Sequence, residues 1–479
     1  MKKFIISIIV LSAAFAGCST DLDVNRDPDL LDPNSAPLSA QLPAGISGLA
    51  GSEGAGLAIF GGFWSQYWTQ SNAANQYKDI DNYSAGTADY NFMWDGMYDA
   101  LGDIRNVKRR ALAESNWNYY LIATTLEVQA SQLLTDFYGD IPYTDANNTE
   151  ILEPSFNSGQ EVYDLMIADL NDALSRDLSQ SVGSLPAADD LVFAGNMENW
   201  TKFANTMKLK IYMRQTESSR ASIADAGITA LLNSGVEFLD TDAAMTQFVD
   251  EVSQSNPLFE YNNRQLNVAT NLRMSRTLSS LLIANGDPRR NAYYLAGNAL
   301  NQGDFTNAVG AGTIAVVNLS ATTPVFFMSE EESLFLQAEA MERYNGGAGA
   351  KELHDAAVTI NFARYGLTPN NLLTTGGYAY PSSGTFEQKL EAIITQKWIA
   401  SFPGNGFEAF FEQNRTLYPR ISSVTQSNAG YVPGQWAYGV NGVTGGDFPE
   451  RIVYPLSERN ANPNAPNLVP ITTPVWWAQ

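Results

Sequence analysis

Aromatic and amide side chains are interspersed through residues 60–83, and these residue types together suit a polyhydroxylated ligand. Flat aromatic rings stack on the apolar faces of sugar rings, whereas carboxamides hydrogen-bond their hydroxyls. Trp64, Tyr67 and Trp68 are spaced i, i+3 and i+4, which predicts that they share one face of a helix. The same stripe is also typical of a helix face packed in a core, and spacing alone leaves both interpretations open.

Three groups of residues are therefore candidates for ligand binding. The first group is Trp64, Tyr67, Trp68, Asn72, Gln76, Tyr77 and Tyr83. The second group, in a glycine-rich segment, is Tyr431, Trp436 and Tyr438. The third group is Tyr378 and Tyr380. The polar residues that follow Trp68 are harder to explain as core, so the end of the first segment is the preferred position for a sugar platform.

Signals for catalysis and for cofactors are weak along the sequence. His354 is the only histidine, and its place on an amphipathic segment predicts a hydrogen-bonded surface or boundary residue. No cysteine–histidine cluster, phosphate loop or dinucleotide fingerprint occurs, so we predict neither a metal nor a cofactor. Residues 79–82 resemble part of a calcium loop but lack its glycine and terminal glutamate. The sequence predicts a binding protein rather than an enzyme.

The first 18 residues have the parts of a bacterial lipoprotein signal. Lys2 and Lys3 precede an apolar run, and Ala16-Gly17 precede Cys18, the only cysteine of the chain. This arrangement resembles a lipobox, although Phe15 stands where leucine is usual. We therefore predict a signal peptide over residues 1–17, and a lipidated Cys18 that begins a flexible tether over residues 18–37.

The charge balance restricts the partners of this protein. The chain carries 28 basic and 51 acidic residues, a net charge of −23, and loss of Lys2 and Lys3 with a signal peptide would change it to −25. A nucleic-acid partner needs a basic surface, so none is expected. An anionic membrane would repel this body, so membrane attachment is expected through the lipid alone.

Helical periodicity and capping motifs predict a mostly α-helical fold. Capping boxes begin at Ser158, Ser329 and Thr385, and each precedes an amphipathic run. The runs that follow Ser329 are separated by Gly346-Gly347, which predicts a helical hairpin. Further helices are expected over 117–137 and 200–215. Long irregular insertions are expected over 295–325, 367–384 and 421–447, and residues 448–479 are expected to extend across the helices.

Four segments in order resemble one family. They are Trp94–Ile104, Thr135–Ala146, Asn199–Arg214 and Phe448–Asn462. They resemble the SusD/RagB family of nutrient-binding outer-membrane lipoproteins, in its SusD-like branch. The resemblance covers nearly all of the chain after Cys18 and places one binding domain over residues 38–479.

The resemblance implies a fold, a partner and a ligand class. The fold would be an α/α superhelix of tetratricopeptide-like hairpins with long loop insertions. The partner would be a SusC-like TonB-dependent barrel in the outer membrane, with this protein anchored at the cell surface. The ligand would be an oligosaccharide or polysaccharide, delivered to the barrel, or in some members a peptide.

Two other functions remain open at this stage. A helical glycoside hydrolase would need two carboxylates roughly 5–10 Å apart across a cleft, and no local pair of acids beside aromatic residues is evident. A scaffolding lipoprotein would instead bind another protein on the concave face of helical repeats.

Overall fold

The computed structural model describes residues 36–267, 270–308 and 310–478. The signal peptide, Cys18 and nearly all of the tether predicted over 18–37 lie outside these residues. The predicted mostly α-helical fold is confirmed, because helices dominate the described chain and its strands are few and short. No helix in the described ranges is both long enough and apolar enough to span a bilayer.

The α-helices of the described chain pack against one another. They are α1 (Leu38–Ser52), α2 (Ala58–Trp64), α3 (Lys78–Asp81), α4 (Asn91–Glu114), α5 (Trp117–Tyr138), α6 (Gly159–Leu174), α7 (Met197–Met213), α8 (Ala221–Ser234), α9 (Pro257–Phe259), α10 (Arg276–Ala284), α11 (Arg289–Tyr293), α12 (Glu330–Tyr344), α13 (Ala350–Arg364), α14 (Phe386–Ala400), α15 (Gly406–Thr416) and α16 (Leu456–Ala461). Consecutive pairs such as α4–α5, α5–α6, α7–α8 and α12–α13 pack against each other as helical hairpins.

Short strands and non-α turns join the helices. The strands are β1 (Trp68–Thr69), β2 (Ala243–Met245), β3 (Arg273–Met274) and β4 (Val325–Met328). β1 pairs antiparallel with β3, and β2 pairs antiparallel with β4. The π-helical turns are Glu53–Leu57 and Glu260–Gln265, and the 3-10 turns are Leu178–Gln180, Ala311–Thr313 and Asn370–Leu373.

The predicted capping residues begin their helices as expected. Ser158 accepts from the backbone of Glu161 at 3.3 Å, and Ser329 accepts from Glu332 at 3.2 Å. At Thr385 the bonding is reciprocal, because the Gln388 side chain accepts from the Thr385 backbone at 2.9 Å. The helix expected over 200–215 begins earlier, at Met197, because Asn196 caps it.

Paired charges lie inside the helical layer, where sequence periodicity predicts apolar packing. We call them the buried ion cluster: Asp136, Lys210, Arg214, Glu332, Glu339, Lys397, Glu408, Glu412 and Arg415, all less than a tenth exposed. Lys210 Nζ lies 2.6 Å from Glu408 Oε1, and Lys397 Nζ lies 2.9 Å from Glu412 Oε1. These contacts join α7, α14 and α15, so the cluster links helices that are distant in sequence.

The C-terminal segment crosses the helices in a mostly extended form, interrupted by α16. Trp477 is fully buried, with its ring 5.3 Å from the guanidinium of Arg214 and edge-on to Phe411. The expected packing of residues 448–479 across the helices is therefore confirmed for the described part of this segment.

Candidate functional site

The first three aromatic residues of the first candidate group lie in the core, and the prediction that they share one helix face is wrong, because α2 ends at Trp64 and Trp68 lies in β1. Trp64, Tyr67 and Trp68 are at most 3% exposed. The Tyr67 ring stacks on Trp398, and its hydroxyl donates to the carbonyl of Trp398. Trp68 packs edge-on against Phe402. The structure therefore favours the core interpretation for these three rings, because a ring covered by α14 and its C-terminal turn has no free face for a sugar.

Asp81 lies within the segment over residues 60–83, and its carboxylate accepts hydrogen bonds from other parts of the chain. Its Oδ2 accepts from the Thr69 hydroxyl at 2.7 Å and from the Gln70 backbone at 2.9 Å. Its Oδ1 accepts from Gln302 Nε2 at 2.7 Å. Burial raises the pKa of Asp81 to about 7, and these hydrogen bonds oppose the rise.

Hydrogen bonds of the backbone and of two side chains bring a third segment onto the same surface. The amide of Val440 donates to Gln302 at 2.9 Å, and Asn441 Nδ2 donates to the carbonyl of Gly303 at 2.8 Å. The amide of Gly303 in turn donates to Thr69 Oγ1 at 2.9 Å. We call the surface formed by residues 70–83, 301–307 and 438–448 the loop surface.

Three aromatic rings pack together within the loop surface. Tyr83 lies 5.4 Å from Tyr438 and 6.1 Å from Phe448, and the last two lie 5.9 Å apart. Tyr83 is buried, whereas Tyr438 is half-buried. Tyr83 and Tyr438, which were predicted in separate groups, therefore lie together in the structure. Tyr438 is the less buried of the two.

Amide side chains of the first group face solvent beside an open cavity. Asn72, Asn75 and Gln76 are exposed, and the last two line a cavity of about 360 Å³. Asn271 also lines this cavity. Tyr77, in contrast, is fully buried, so its ring is part of the frame under the cavity. This arrangement leaves amide groups available for the hydroxyls of a ligand.

The second group is only partly accessible. Trp436 is 1% exposed and packs against Trp398, so the structure places it in the core. Tyr431 is half-buried, with its hydroxyl donating to the carbonyl of Gln435 at 2.7 Å. The side chain of Gln426 connects the second group to the loop surface. The Oε1 atom of Gln426 accepts a hydrogen bond from the backbone amide of Gln302 at 2.7 Å.

The third group lies away from the loop surface, and both of its hydroxyls have carboxylate partners. Tyr378 donates to Asp287 at 2.8 Å, and Tyr380 donates to Glu342 at 2.6 Å. Both side chains are buried. They hold the segment after α13 against the helices, which is a structural role that the spacing of two tyrosines does not reveal.

Two residues of the loop surface have no counterpart among the candidates from the sequence. Phe305 is half-buried, with the ammonium of Lys78 5.3 Å from its ring centre. Asn441 joins two loops through the contacts described above. Both residues occur in the irregular insertions predicted around 295–325 and 421–447, and only their contacts in space, Phe305 with Lys78 and Asn441 with Gly303, identify them.

His354 differs from the surface or boundary residue that its sequence context predicts. It is fully buried against the rings of Phe335 and Tyr380. Its Nδ1 lies 2.9 Å from Asp355 Oδ1, and its Nε2 has no hydrogen-bond partner among the described residues. Within the same residues, no group of three or more His, Cys, Asp or Glu side chains is placed to hold a metal ion.

Comparison with solved structures identifies the same fold in other proteins. A SusD homologue from Bacteroides uniformis superposes with a TM-score of 0.73 at 23% identity, covering 92% of this chain and 99% of that one. A chitin-binding SusD homologue from Flavobacterium johnsoniae gives 0.73 at 20% identity, covering 91% and 98%. A SusD homologue from Bacteroides thetaiotaomicron gives 0.69 at 21% identity, covering 92% and 99%.

Family comparison covers most of the chain. No significant match was found among curated proteins. A family model described as SusD-like, starch-binding and associating with the outer membrane matches residues 52–439. This range includes the helical hairpins, Asp81 and most of the loop surface. The chain therefore belongs to the SusD/RagB family, in its SusD-like branch.

Proposed function

We propose that this protein captures a glycan on the loop surface and delivers it to a SusC-like TonB-dependent barrel in the outer membrane. The observation that carries the proposal is the exposed row of Asn72, Asn75 and Gln76 beside an open cavity of about 360 Å³. Amides supply both donors and acceptors, which sugar hydroxyls require. The family description as starch-binding and the chitin-binding neighbour support a glycan as the ligand.

Aromatic side chains beside these amides would supply the apolar contacts. Phe305 and Tyr438 are half-buried on the loop surface, so each presents part of a ring to solvent. The ammonium of Lys78 lies over the Phe305 ring, and the Tyr438 ring packs against Tyr83. Partly exposed aromatic rings beside amides combine the apolar contact and the hydrogen bonding that a sugar requires.

Capture without hydrolysis is the activity that we propose. Among the described residues that line the cavity beside Gln76, none is a carboxylate. In two further cavities lined by described residues, the acids are engaged in ion pairs: Glu332 lies 3.1 Å from Lys210, Glu391 lies 2.8 Å from Arg420, and Glu331 pairs with Arg364. Acids held in this way are poorly suited to act as the acid and the nucleophile of a glycosidase.

Affinity electrophoresis with soluble polysaccharides, combined with a reducing-end assay on the same mixtures, tests this function. We expect retardation by at least one glycan, with α-glucans and soluble chitin oligomers as the first probes, and no new reducing ends. New reducing ends would establish hydrolysis and contradict simple capture. Retention of peptides but of no glycan would indicate that this protein captures peptides instead of glycans.

Attachment at the cell surface is a further part of the proposal. Lipid on Cys18 would anchor the chain, and the tether over residues 18–37 would separate the binding domain from the membrane. Mass spectrometry of the N-terminal peptide from outer-membrane fractions should find an acylated Cys18. Cys18→Ala should release the protein into the soluble fraction, and continued membrane retention of this variant would contradict a lipid anchor.

A further inference from the structure

Asparagine followed by glycine is a pair in which the side chain can react with the backbone, and the structure holds the four such pairs differently. They are Asn285-Gly286, Asn345-Gly346, Asn405-Gly406 and Asn441-Gly442. Glycine has no Cβ atom, so it least hinders its own amide nitrogen from reaching the carboxamide carbon of the preceding asparagine. The reaction also requires a carboxamide that can turn and a glycine amide that is not held in a hydrogen bond.

Hydrogen bonds hold both reacting groups of Asn285-Gly286. Nδ2 of Asn285 donates to the carbonyl of Leu281 at 2.9 Å. The amide of Gly286 donates to the carbonyl of Ile283 at 3.1 Å. Both bonds must break before the glycine nitrogen can approach the carboxamide carbon, so the folded state protects this pair.

The pair Asn441-Gly442 is protected in the same way. Nδ2 of Asn441 donates to the carbonyl of Gly303 at 2.8 Å. The amide of Gly442 donates to the carbonyl of Gly439, also at 2.8 Å. This pair belongs to the loop surface, so its protection also preserves a contact that joins two of the loops.

One hydrogen bond and close packing protect the pair Asn405-Gly406. Nδ2 of Asn405 donates to the carbonyl of Phe326 at 2.9 Å. Gly406 is buried so closely against Gly61 that a Cβ atom on Gly406 would lie 2.7 Å from the carbonyl carbon of Gly61. The backbone of Gly406 therefore has little room to move towards the carboxamide.

The pair Asn345-Gly346 has neither kind of protection. Both residues are exposed in the turn between α12 and α13. Within the described chain, Nδ2 of Asn345 donates only to Sδ of Met341, at 3.6 Å, and a thioether sulfur is a weak acceptor. The amide of Gly346 makes no hydrogen bond to any described residue. The two groups that would react are therefore free to approach each other.

We propose that Asn345 is the site at which the folded protein deamidates spontaneously, with water as the only co-reactant. The amide nitrogen of Gly346 attacks the carboxamide carbon of Asn345, and the side-chain nitrogen leaves as ammonia together with the amide proton. The product of this step is a succinimide ring. Water then cleaves one of the two bonds between the ring nitrogen and a carbonyl carbon. This step restores the N–H group and leaves aspartate or isoaspartate at position 345.

Deamidation changes the charge of this turn and, by one route, its backbone. The new carboxylate lies at the C-terminal end of α12, where the helix dipole already places partial negative charge. Isoaspartate also adds one atom to the backbone before Gly346. The turn is closed by the amide of Gly347, which donates to the carbonyl of Met341 at 2.9 Å. Aged protein therefore contains a more acidic form whose turn differs from that of newly made protein.

Incubation of the purified folded protein in mildly alkaline water enriched in ¹⁸O tests the proposal. Peptide mapping by mass spectrometry gives a rate for each pair, and ¹⁸O in the product excludes deamidation during sample preparation. The same mapping in urea gives the rates without folded structure.

Protection by the fold should separate the four rates. Breaking two hydrogen bonds slows a reaction roughly 5- to 100-fold. We expect the folded state to slow deamidation at Asn285 and Asn441 by this factor, and to leave the rate at Asn345 close to its value in urea. Slowing of Asn345 by as much as Asn285, or a faster reaction at any of the other three pairs of the folded protein, would overturn the proposal.

The variant Asn345→Gln is the matched test of the position, because glutamine keeps the carboxamide but must close a larger ring, which forms more slowly. Enzymatic methylation by a protein isoaspartyl methyltransferase measures total isoaspartate, and anion exchange measures the acidic form. We expect Asn345→Gln to lose most of both, and Asn285→Gln to lose neither. An undiminished yield of isoaspartate in Asn345→Gln would also overturn the proposal. No step of this test involves a ligand, so its outcome is independent of the function proposed for the loop surface.

Discussion

The indole nitrogen of Trp477 donates a hydrogen bond of 2.8 Å to Oδ1 of Asp136, so two residues 341 positions apart meet in the core. Asp136 also accepts from Arg214 at 3.1 Å, and the Trp477 ring lies against the same guanidinium. The C-terminal segment therefore covers one end of the buried ion cluster.

Trp477→Ala should lower the free energy of unfolding by about 3–5 kcal/mol, because a fully buried aromatic side chain is removed from the core. Urea denaturation followed by circular dichroism measures the effect. Trp476→Ala is the matched control, since Trp476 is only half-buried and should cost less. Equal losses for both variants would show that Trp477 does not anchor the segment.

Arg415→Met should also be strongly destabilising, by roughly 3–5 kcal/mol, because it leaves two buried carboxylates without this partner. Arg415 is fully buried between Glu339 and Glu412. Arg420→Met is the matched control: Arg420 pairs with Glu391 at 2.8 Å, but its side chain is 54% exposed, so about 0–1 kcal/mol is expected. Similar losses for both variants would contradict the importance of burial.

Stability should fall at acidic pH because of Glu408. Burial alone would raise its pKa, but Lys210 and Arg214 outweigh burial and lower the pKa to about 2, below the ordinary value of 4.5. The stabilisation is therefore complete above pH 4.5 and lost as the pH falls towards 2. Urea titrations across this interval should show a falling free energy of unfolding, with a shallower fall in Glu408→Gln. An equal slope in both proteins would contradict this assignment.

Asp81 should give stability the opposite pH dependence to that of Glu408, over a higher range of pH. Its pKa of about 7 in the folded protein exceeds the ordinary value of 3.8, so the folded state retains a proton that the unfolded state has lost. Stability should therefore decrease as the pH rises between these values. Asp81→Asn should reduce this decrease by at least about 1 kcal/mol. Comparison of the two proteins cancels the contribution of Glu450, whose pKa burial also raises to about 7.

Replacing both Asn72 and Gln76 by alanine should weaken glycan binding without unfolding the protein. Both residues are exposed, so stability should change by no more than about 0.5 kcal/mol for each substitution. Each lost hydrogen bond is worth about 0.5–1.5 kcal/mol, which corresponds to an affinity loss of roughly 5- to 100-fold for the pair. Isothermal titration calorimetry measures it, with the exposed Gln180→Ala as control. Unchanged affinity would show that the side chains of Asn72 and Gln76 do not contribute to glycan binding.

Local signals in the sequence predict the helices well. Ser158, Ser329 and Thr385 cap their helices as expected, because a cap depends on residues three positions apart. The capping-box pattern does not identify Asn196, which caps its helix without that pattern. The helix therefore begins at Met197, before the predicted start at residue 200.

Long-range packing explains why the candidate site could be predicted only in part. The segment over 60–83 does contribute to the loop surface, and its exposed amides were identifiable from their polarity. Trp64, Tyr67 and Trp68 are buried by residues more than 300 positions away, such as Trp398, and the spacing of residues within one segment carries no information about such partners. The participation of Phe305 and Asn441 in the loop surface could not be predicted from the sequence for the same reason.

The contact between Trp477 and Asp136 also constrains the order in which the chain can fold. A ribosome makes Asp136 long before Trp477, so the buried ion cluster cannot be sealed until synthesis has passed residue 477. Until then, the charges of α5 and α7 are better solvated in an open chain than in a collapsed one. The complete cluster with its cover is therefore a late feature of folding, because it needs residues from α5 through to the C-terminal segment.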